Sequence, residues 1–432
     1  MAKQESISSQ QRVFFDKVYN TNISLTPLEQ KIVNTEVFER LKRISQLGLA
    51  YLIYPNAKHT RFDHSLGTMY LAGKIAKRLG LSEDDAQYFR LAALLHDTGH
   101  GPFSHAFEEY LRERGRIRGH EELTKWVILN SEIKDKIGDS GFDSRKIADL
   151  SAGKIKDEKL SFLNPLILGV IDVDKMDFLV RDAHFTKSKC REIDVNELTS
   201  SVEKVDAGKV AWAYGCLSSL ETFFRCKEDM YMSVYYGKEV RAIDIMIRVM
   251  LKSSDEEIDW GSFKEIEDFK LLTDSYVLDK MQEMSRKAST SDEMSIAVGL
   301  CKDLLRKDFI DNAFEKISYT QYPQRRSSII NEEEILDVLI DYLDMDRRLV
   351  FVDILDFSTR ATMSFTKTGK ADMYLLENED PISITDIEGS LNQLLGVSCQ
   401  IVRVYVASQY AKKLRKITGI IRNTIENLLR GT

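Results

Sequence analysis

Six of the seven histidines in the chain lie between residues 59 and 120, a density that suggests shared chemistry. They are His59, His64, His96, His100, His105 and His120. Even spreading over the 432 residues would place about one histidine in that stretch. A neutral imidazole is the commonest metal ligand near physiological pH, and histidine also transfers protons there. The group therefore predicts a metal site, with proton transfer as a second use.

An apolar run leads directly into two polar residues of this group. Five apolar residues, from Leu91 to Leu95, immediately precede His96 and Asp97. So dense an apolar run predicts a buried helix, and the two polar side chains are expected at its inner end. A buried carboxylate costs several kcal/mol unless a cation pairs with it. A divalent metal is the simplest such cation, so the adjacent pair is interpreted as metal-binding.

The segment from Asp174 to Asp182 places useful side chains at helical spacing. If the segment is helical, Asp174, Phe178 and Asp182 fall on one face. Lys175 lies beside that face, so the strip offers a carboxylate that could bind metal, a cation, an aromatic ring and a second carboxylate. This order suits the metal, phosphate and sugar of a nucleotide. Lys175 is accordingly interpreted as a phosphate contact.

A loop rich in arginine precedes His120. It contains Arg112, Arg114, Arg116 and Arg118. Four cations close to an anion site could hold a polyphosphate, and the same loop would suit single-stranded nucleic acid. A solvated, flexible loop explains the composition equally well, so both interpretations stay open.

Some neighbours of these motifs are interpreted as structural. Asp177 and Arg181, four residues apart, are predicted to form an ion pair on a helix surface. His59 and His184 lie outside the motifs and are expected to have structural roles.

The composition indicates which elements must position these residues. The chain is 43% apolar and 30% charged, which allows a sizeable core. Only 6 prolines and 22 glycines are present, which favours helices over turn-rich β-structure. Helix starts are predicted at Thr26, which precedes a proline, and at Ser82. Helical periodicity is clear from about residue 63 to 129, and further helices fit 160–255.

The character of the sequence changes after about residue 253. Residues 254–345 are acidic and are predicted to be helical, whereas β-branched runs at 349–354 and 401–406 predict strands. The predicted fold is therefore mainly α, with a smaller C-terminal α+β region. A helical catalytic unit is expected over residues 1–255, followed by an appendage over 256–432 for oligomerisation or regulation.

Charge and cysteine usage exclude several classes of protein. A net charge of −7 argues against a generic polyanion binder, so any nucleotide site must be a local basic patch. Five cysteines without a C-x-x-C pair disfavour disulfides or a cysteine zinc site and favour a reducing cytoplasm. No membrane association is expected, because no run approaches about 18 apolar residues and no secretory signal is visible.

Three motifs together resemble the HD-domain deoxynucleoside triphosphate triphosphohydrolases. They are Arg61-Phe62-Asp63-His64-Ser65-Leu66-Gly67, His96-Asp97-Thr98-Gly99-His100-Gly101-Pro102-Phe103-Ser104-His105 and Asp172-Val173-Asp174-Lys175-Met176-Asp177. The H…HD…D signature extends over more than a hundred residues, which makes it highly specific. The likeness covers about residues 12–255 and implies a helical HD core. The expected form lacks the SAM domain found in the SAM-and-HD-domain members.

The resemblance implies a metal centre and a catalytic histidine. The implied metal ligands are His64, His96, Asp97 and Asp174. Such a set suits one divalent transition metal, namely Mn, Fe, Ni, Co or Zn, with an additional Mg accompanying the substrate phosphates. His120 corresponds to the residue that protonates the leaving oxygen, and His100 and His105 are the next candidates.

The resemblance also implies contacts to a deoxynucleotide. Gln46 and Leu47 match sugar-side contacts, and Arg61 matches an arginine that holds the α-phosphate. The remaining contacts lie on the segment described above: Lys175 to phosphate, Phe178 under the deoxyribose in place of a tyrosine, and Asp182 to the 3′-hydroxyl.

Two positions depart from the family pattern. Gly237 stands where the family has a histidine, which changes the substrate contacts expected there. Tyr235 or Tyr236, just before it, is a candidate for a base contact or for packing between helices. The segment 34–42 differs from the family's guanine-reading segment, so the resemblance gives no basis for activation by GTP.

Three functions are compatible with these residues, in order of preference. The first is hydrolysis of deoxynucleoside triphosphates to deoxynucleoside and tripolyphosphate by a homo-oligomer. The second is a phosphodiesterase or nuclease that uses the same metal on single-stranded nucleic acid or a signalling nucleotide. The third is a regulatory scaffold that senses nucleotides without cleaving them. Retention of both His120 and Lys175 argues against the third, since a sensor needs neither.

Overall fold

The computed structural model describes most of the chain. The described residues are 13–205, 209–287, 291–321, 332–343, 347–358, 373–378, 380–387, 389, 397–407 and 418–430.

An N-terminal hairpin and two short helices open the described chain. Strands β1 (Val13–Asp16) and β2 (Thr21–Ser24) pair antiparallel, and helices α1 (Pro27–Val33) and α2 (Glu36–Glu39) come next. Thr26 caps α1 in a reciprocal capping box, with proline at the first helical position, as predicted from the sequence.

Helices form the bulk of the next 240 residues or so, as the periodicity predicts. They are α3 (Arg61–Arg78), α4 (Glu83–Leu95), α5 (His105–Glu113), α6 (His120–Asn130), α7 (Glu132–Gly138), α8 (Ser144–Ser151), α9 (Asn164–Ile167), α10 (Val173–Thr186), α11 (Val195–Ser200), α12 (Leu217–Met230), α13 (Lys238–Ser253), α14 (Ile266–Leu271), α15 (Asp274–Met284) and α16 (Asp292–Arg306). A π-helix, Tyr231–Tyr235, joins α12 to α13. Short 3₁₀ turns lie at Arg40–Arg43, Ala50–Leu52, Ser161–Leu163, Lys189–Glu192 and Tyr214–Cys216.

The antiparallel pair α3 and α4 lies between two hydrophobic cores. Leu66 and Leu94 contribute to the first core, whereas Ile75 and Ala92 contribute to the second. Because both helices are buried on opposite sides, their sequences are apolar over more than one face. The predicted cap at Ser82 is present, since its hydroxyl accepts from the backbone N–H of Asp85. The central pair is therefore a rigid base for the residues at its ends.

The first core extends beyond residue 255. Phe269, Met281 and Leu304, on α14 to α16, are buried in the same cluster as Ile32 and Phe38. The boundary at residue 255 stays a prediction, and these helices pack as part of the helical unit.

Two small sheets accompany the helices. The first has the order β3 (Val202–Val205), β4 (Lys209–Ala213), β7 (Tyr374–Glu377), β8 (Asp380–Ser383). The second is antiparallel with the order β5 (Asp311–Gln321), β9 (Val397–Val406), β6 (Val350–Ser358). Helices α17 (Glu332–Leu343) and α18 (Thr418–Arg430) and 3₁₀ turns at Arg347–Leu349 and Ile384–Asp386 complete the region. The fold class is thus mainly α with a smaller α+β part, as predicted.

Two expectations about the chain are wrong. The composition of residues 254–345 predicts helix throughout, but β5 lies within them, because it is the edge strand that β9 requires as a partner. The structure also joins Cys190 and Cys226 as a disulfide, although the sequence disfavours one. Packing of the turn after α10 against α12 brings these residues together, so cysteine spacing does not argue for a reducing compartment here. Within the described residues, no helix combines the length and apolarity needed to cross a bilayer.

Helix α10 packs closely on α3 at Gly67. A methyl group at this position would overlap the Asp177 carboxylate and the Arg181 guanidinium, both fixed by buried hydrogen bonds. Gly67→Ala is therefore expected to lower the free energy of unfolding by about 1–3 kcal/mol, measured by denaturant titration.

The matched control for this variant is Gly138→Ala. Gly138 lies in α7 with open space around it, and alanine is the better helix former. Equal unfolding midpoints for both variants would contradict the close packing inferred at Gly67.

Candidate metal centre and substrate cavity

Three helix ends bring the four predicted metal ligands together. His64 lies in the first turn of α3, His96 and Asp97 come directly after the end of α4, and Asp174 lies in the first turn of α10. The Nε2 atoms of His64 and His96 are 3.2 Å apart. An Asp174 carboxylate oxygen is 3.0 Å from the first and 3.4 Å from the second. Oxygens of Asp97 are 3.5 and 3.3 Å from the same two nitrogens.

The hydrogen bonds of the two imidazoles determine which nitrogen faces the cluster as an acceptor. His64 Nδ1 is 2.8 Å from an Asp177 oxygen, and His96 Nδ1 is 2.8 Å from the Ala93 carbonyl oxygen. Both partners are acceptors, so each Nδ1 carries a proton and each Nε2 points into the cluster. When both rings are neutral, two nitrogen lone pairs and two carboxylates face one another. This arrangement fits a divalent cation held by mixed nitrogen and oxygen ligands.

The charges at the site support the same conclusion. Burial lowers the pKa of His64, but the hydrogen-bonded carboxylates of Asp174 and Asp177 outweigh it and raise the pKa to about 10. Burial raises the pKa of Asp174, but His64 and His96 hold it well below its usual range. The carboxylates are therefore ionised, and the cluster attracts positive charge.

A buried hydrogen-bond network fixes Asp177, the partner of His64 Nδ1. Asp177 accepts from both Nε and Nη2 of Arg181 at 2.8 and 2.9 Å, and the Tyr19 hydroxyl donates to it at 2.7 Å. Arg181 also bonds to Asp16 at 2.7 Å. The sequence predicts the Asp177–Arg181 pair on the surface, which is wrong: the side chains are 0% and 3% exposed. The N-terminal hairpin is adjacent in space, so its residues complete the pair and bury it.

The loop after Asp97 is held in an unusual conformation. Phe103 and Ser104 both have positive φ, at 57° and 53°, which non-glycine residues rarely adopt. The carboxylate of Asp274 holds this loop by accepting from the backbone N–H of Phe103 at 2.7 Å and of Ser45 at 2.9 Å. Asp274 begins α15, so a residue beyond position 255 shapes the site, and sequence reasoning missed it.

Arg40 holds the other end of the same loop. Its guanidinium donates to the carbonyl oxygens of Thr98 at 3.0 Å and His100 at 2.6 Å, and to that of Leu272 at 2.8 Å. The side chain is fully buried, and burial lowers its pKa to about 9. Arg40 lies in the segment 34–42, which the family resemblance relates only to guanine reading. The role of Arg40 beside the HD motif was therefore missed.

The three candidate catalytic histidines lie together beside the metal cluster. The rings of His100 and His120 stack with centroids 4.0 Å apart, and His100 Nε2 is 3.3 Å from an Asp97 oxygen. Glu108, which sequence reasoning also missed, is 3.2 Å from His120 Nδ1 and 3.3 Å from His105 Nδ1. The i, i+3 spacing from His105 on α5 could have indicated it.

The environments of these histidines differ. Burial, Arg61 and His120 lower the pKa of His100 well below its usual range, so this ring is neutral. Burial lowers the pKa of His120 too, but the hydrogen bond to Glu108 raises it overall. The His105 side chain is 73% exposed. His120 is therefore the best placed of the three to carry a proton at neutral pH.

A cavity of about 400 Å³ opens beside these groups. All six predicted substrate-binding residues line it: Gln46, Leu47, Arg61, Lys175, Phe178 and Asp182. Asp97, Asp174, His100, His105 and His120 line the same cavity. Gln46 is buried, and among the described residues its amide oxygen has no hydrogen-bond partner, so it can accept a bond from a ligand.

Several cavity residues are already held by partners. Asp182 accepts from the Tyr235 hydroxyl at 2.7 Å and is 2.6 Å from His59 Nε2, which gives His59 its structural role. Arg61 is paired with Asp97 at 2.6 Å. Lys175 donates to Asp172, the N-cap of α10, at 2.6 Å. These bonds fix the side chains before any ligand binds.

Another lysine lies behind Lys175. Lys227 on α12 is buried, and burial together with the charge of Lys175 lowers its pKa to about 7. No local pattern in the sequence marked it.

The arginine loop is turned away from this cavity. Arg114 pairs with Asp255, and Arg116 bonds to Asp259 at 2.8 Å and to the Gly261 carbonyl at 3.0 Å. Neither of these arginines lines the cavity. Of the two interpretations left open, the polyphosphate contact receives no support from this geometry.

Comparison with known proteins identifies the motif-bearing segment. Residues 61–182 match the family model described as HD domain, and this range contains all four clustered ligands. This chain contains an HD domain. HD domains bind divalent metals, and His64, His96 and Asp174 form a group that could hold one.

Relatives extend the likeness beyond the HD domain. An uncharacterized protein of Methanocaldococcus jannaschii is 25% identical over 97% of this chain and 84% of its own. The deoxynucleoside triphosphate triphosphohydrolase SAMHD1 of Bos taurus is 27% identical over 79% of this chain and 67% of its own. Its Dictyostelium discoideum homolog is 29% identical over 52% of this chain and 46% of its own.

A solved structure shares the whole HD-domain fold of this chain. The crystal structure of a hypothetical protein from Aquifex aeolicus superposes with a TM-score of 0.75 and 26% identity. The superposition covers 94% of this chain and 99% of the Aquifex aeolicus chain, so the C-terminal α+β region belongs to the shared architecture.

Asp97→Ala tests the metal centre of the HD domain. The change removes one of the four predicted ligands, so metal affinity is expected to fall by more than the 10- to 100-fold typical of supporting residues, with turnover abolished. Metal per chain is measured by mass spectrometry after dialysis. Asp143→Asn, at the exposed cap of α8, is the control and keeps full occupancy. A full metal complement in Asp97→Ala would refute the ligand assignment.

Proposed function

We propose that this HD-domain protein hydrolyses deoxynucleoside triphosphates to deoxynucleoside and tripolyphosphate. The observation that carries the proposal is one cavity whose wall combines the metal cluster with Lys175, Phe178 and Asp182 on successive turns of α10. The SAMHD1 relatives, which are named for this activity, support it. A volume of about 400 Å³ suits a single nucleotide.

The side chains of α10 and the HD loop would position the substrate. Bound at the cluster, a divalent metal would activate water and polarise a phosphate oxygen. Lys175, held by Asp172, would contact phosphate, and Arg61 would stay fixed by Asp97 to face the α-phosphate. Gln46 would accept from the sugar side through its unpartnered oxygen. An additional Mg would accompany the phosphates.

His120 would act as the general acid. Cleavage between the 5′-oxygen and the α-phosphorus leaves a sugar alkoxide, which is a poor leaving group and needs a proton. His120 shares Glu108 with His105 and stacks on neutral His100, so the imidazolium is stabilised by a carboxylate on one side. His100 and His105 are the next candidates for this step.

The second candidate is a phosphodiesterase or nuclease acting on single-stranded nucleic acid or a signalling nucleotide. It uses the same cluster, but the pairing of the loop arginines with Asp255 and Asp259 leaves it less support. A sensing scaffold would not need His120 beside Glu108. Homo-oligomerisation and a cytoplasmic location remain predictions.

One assay separates these functions. The protein is incubated with each dNTP, each NTP and a short single strand under Mn, Fe, Ni, Co, Zn and Mg, and products are identified by mass. Deoxynucleoside and tripolyphosphate are expected. Phe178 lines the cavity and, packed under a bound deoxyribose, would leave no room for a 2′-hydroxyl, so kcat/KM for dATP should exceed that for ATP by about 10- to 100-fold. Nucleoside diphosphate or a cleaved strand as product, or equal rates for the two sugars, would contradict the proposal.

His120→Ala tests the acid. The variant should keep its metal and its substrate affinity yet lose about 10²- to 10⁴-fold in kcat. The acid must be protonated, so wild-type kcat falls as pH rises through the His120 pKa. Glu108 raises that pKa, so Glu108→Gln should move the fall to lower pH. Loss of metal in His120→Ala would make the residue a ligand instead, and an unchanged rate would transfer the role to His100 or His105.

A further inference from the structure

The π-helix Tyr231–Tyr235 forms part of the cavity wall. Its i→i+5 bond runs from the Tyr236 N–H to the Tyr231 carbonyl at 2.7 Å. Such turns insert one residue into a helix, which rotates the next helical segment by about 100° relative to a regular helix. They are rare and persist where surrounding contacts hold them.

The extra residue decides which side chains face the cavity. Tyr231, Tyr235 and Tyr236 all line it. Tyr235 donates to Asp182, and its ring meets Phe178 edge-on with centroids 6.2 Å apart. If the segment became a regular α-helix, the direction of Tyr235 relative to α13 would change and this bond would break.

The C-terminal sheet holds the end of the π-helix through main-chain oxygens. Arg403 on β9 donates through Nη1 to the Tyr236 carbonyl at 2.6 Å, and its Nε bonds to Glu315 on β5 at 2.7 Å. The Tyr405 hydroxyl, also on β9, donates to the Lys238 carbonyl at 3.0 Å. Arg403 is 3% exposed, so water does not compete well for these bonds.

Side-chain contacts from β6 act on the same segment. Asp353 accepts from Nη2 of Arg241 at 2.8 Å and from Nε at 3.1 Å, which is a two-point arginine–carboxylate pair. The rings of Phe357 and Tyr231 lie 4.9 Å apart. The Tyr236 hydroxyl donates to the Asp356 carbonyl at 3.2 Å. Contacts from the sheet thus reach both ends of the π-helix.

We propose that Arg403 is a positioning residue through which the C-terminal sheet sets the substrate-facing shape of the π-helix. It touches neither the cluster nor the cavity, and acts through the Tyr236 carbonyl on Tyr235 and hence on Asp182. This inference rests on the proposed function for its kinetic test, because Asp182 and Phe178 contact the sugar there. The sheet would then influence substrate affinity through Tyr235 and Asp182 without acting on the metal cluster.

The test compares Arg403→Met with the wild-type full-length protein. Losing a buried hydrogen bond from a charged donor should raise KM for the preferred dNTP about tenfold, with kcat within about threefold and metal per chain unchanged. Hydrogen–deuterium exchange of the peptide covering residues 231–237 should rise without substrate, while the α10 peptide stays as in the wild type. Arg347→Met is the matched control, since it removes an exposed arginine paired with Glu333 and Asp337 in the same region. It should change neither KM nor the exchange of residues 231–237.

A double variant distinguishes positioning from general destabilisation. Tyr235→Phe alone should raise KM similarly, and adding Arg403→Met should raise it little further, because both act through the same bond. If Arg403→Met does not fold, Tyr405→Phe removes only the bond to the Lys238 carbonyl and should still raise exchange over residues 231–237.

Two results would overturn the proposal. The first is that Arg403→Met leaves both KM and the exchange of residues 231–237 unchanged. The second is that Arg403→Met loses metal and its kcat falls as much as its kcat/KM. If the wild-type protein hydrolyses no dNTP, the proposed function has failed, and the exchange measurement alone decides the role of Arg403.

Discussion

Two imidazole nitrogens and two carboxylates converge inside the HD domain, and positive charge at their centre makes that convergence favourable. The hydrogen bonds on the far side of each ring determine this, because Asp177 and the Ala93 carbonyl can only accept. Rotating either ring would leave a buried N–H or a buried carboxylate without a partner, at a cost comparable to a lost charged hydrogen bond. The site is therefore prepared for metal by its supporting bonds as much as by its ligands.

Keeping such a cluster in place requires contacts from distant parts of the chain. Asp16 and Tyr19 of the hairpin fix the Asp177–Arg181 pair, which fixes His64. Asp274 holds the strained loop at Phe103 from the opposite side. Each of these groups is buried with its partners, so removing one would leave the others uncompensated. The first hydrophobic core, whose residues range from Ile23 to Tyr405, is the physical reason these segments can meet.

Local patterns were sufficient to predict part of this site. The His96–Asp97 pair, the α10 strip and the cap of α1 are predictable from spacing and residue type. The full H…HD…D ligand set followed from the family resemblance, and the structure brings these four residues together. Asp274, Glu108, Arg40 and Lys227 could not be found in this way, because their roles depend on which helices pack side by side. The prediction that Asp177 is exposed failed for the same reason, and cysteine spacing alone gave no sign that Cys190 and Cys226 would meet. A spacing of four residues predicts an ion pair, but tertiary packing decides whether water reaches it.

The cavity has two kinds of wall, and they depend on different parts of the fold. Chemistry-bearing groups lie on α3, α4, α5, α6 and α10, where regular helices and a common core limit any adjustment. Another part of the wall contains a π-helix, whose conformation is not favoured by the backbone itself and whose end is held by bonds from β9 and β6. A substitution in the sheet would therefore alter the positions of Tyr231, Tyr235 and Tyr236 in the cavity wall without disturbing the predicted metal ligands. If Arg403 positions the π-helix as proposed, substrate preference would change through contacts made more than 150 residues away from the HD motif, while the His/Asp cluster keeps its geometry.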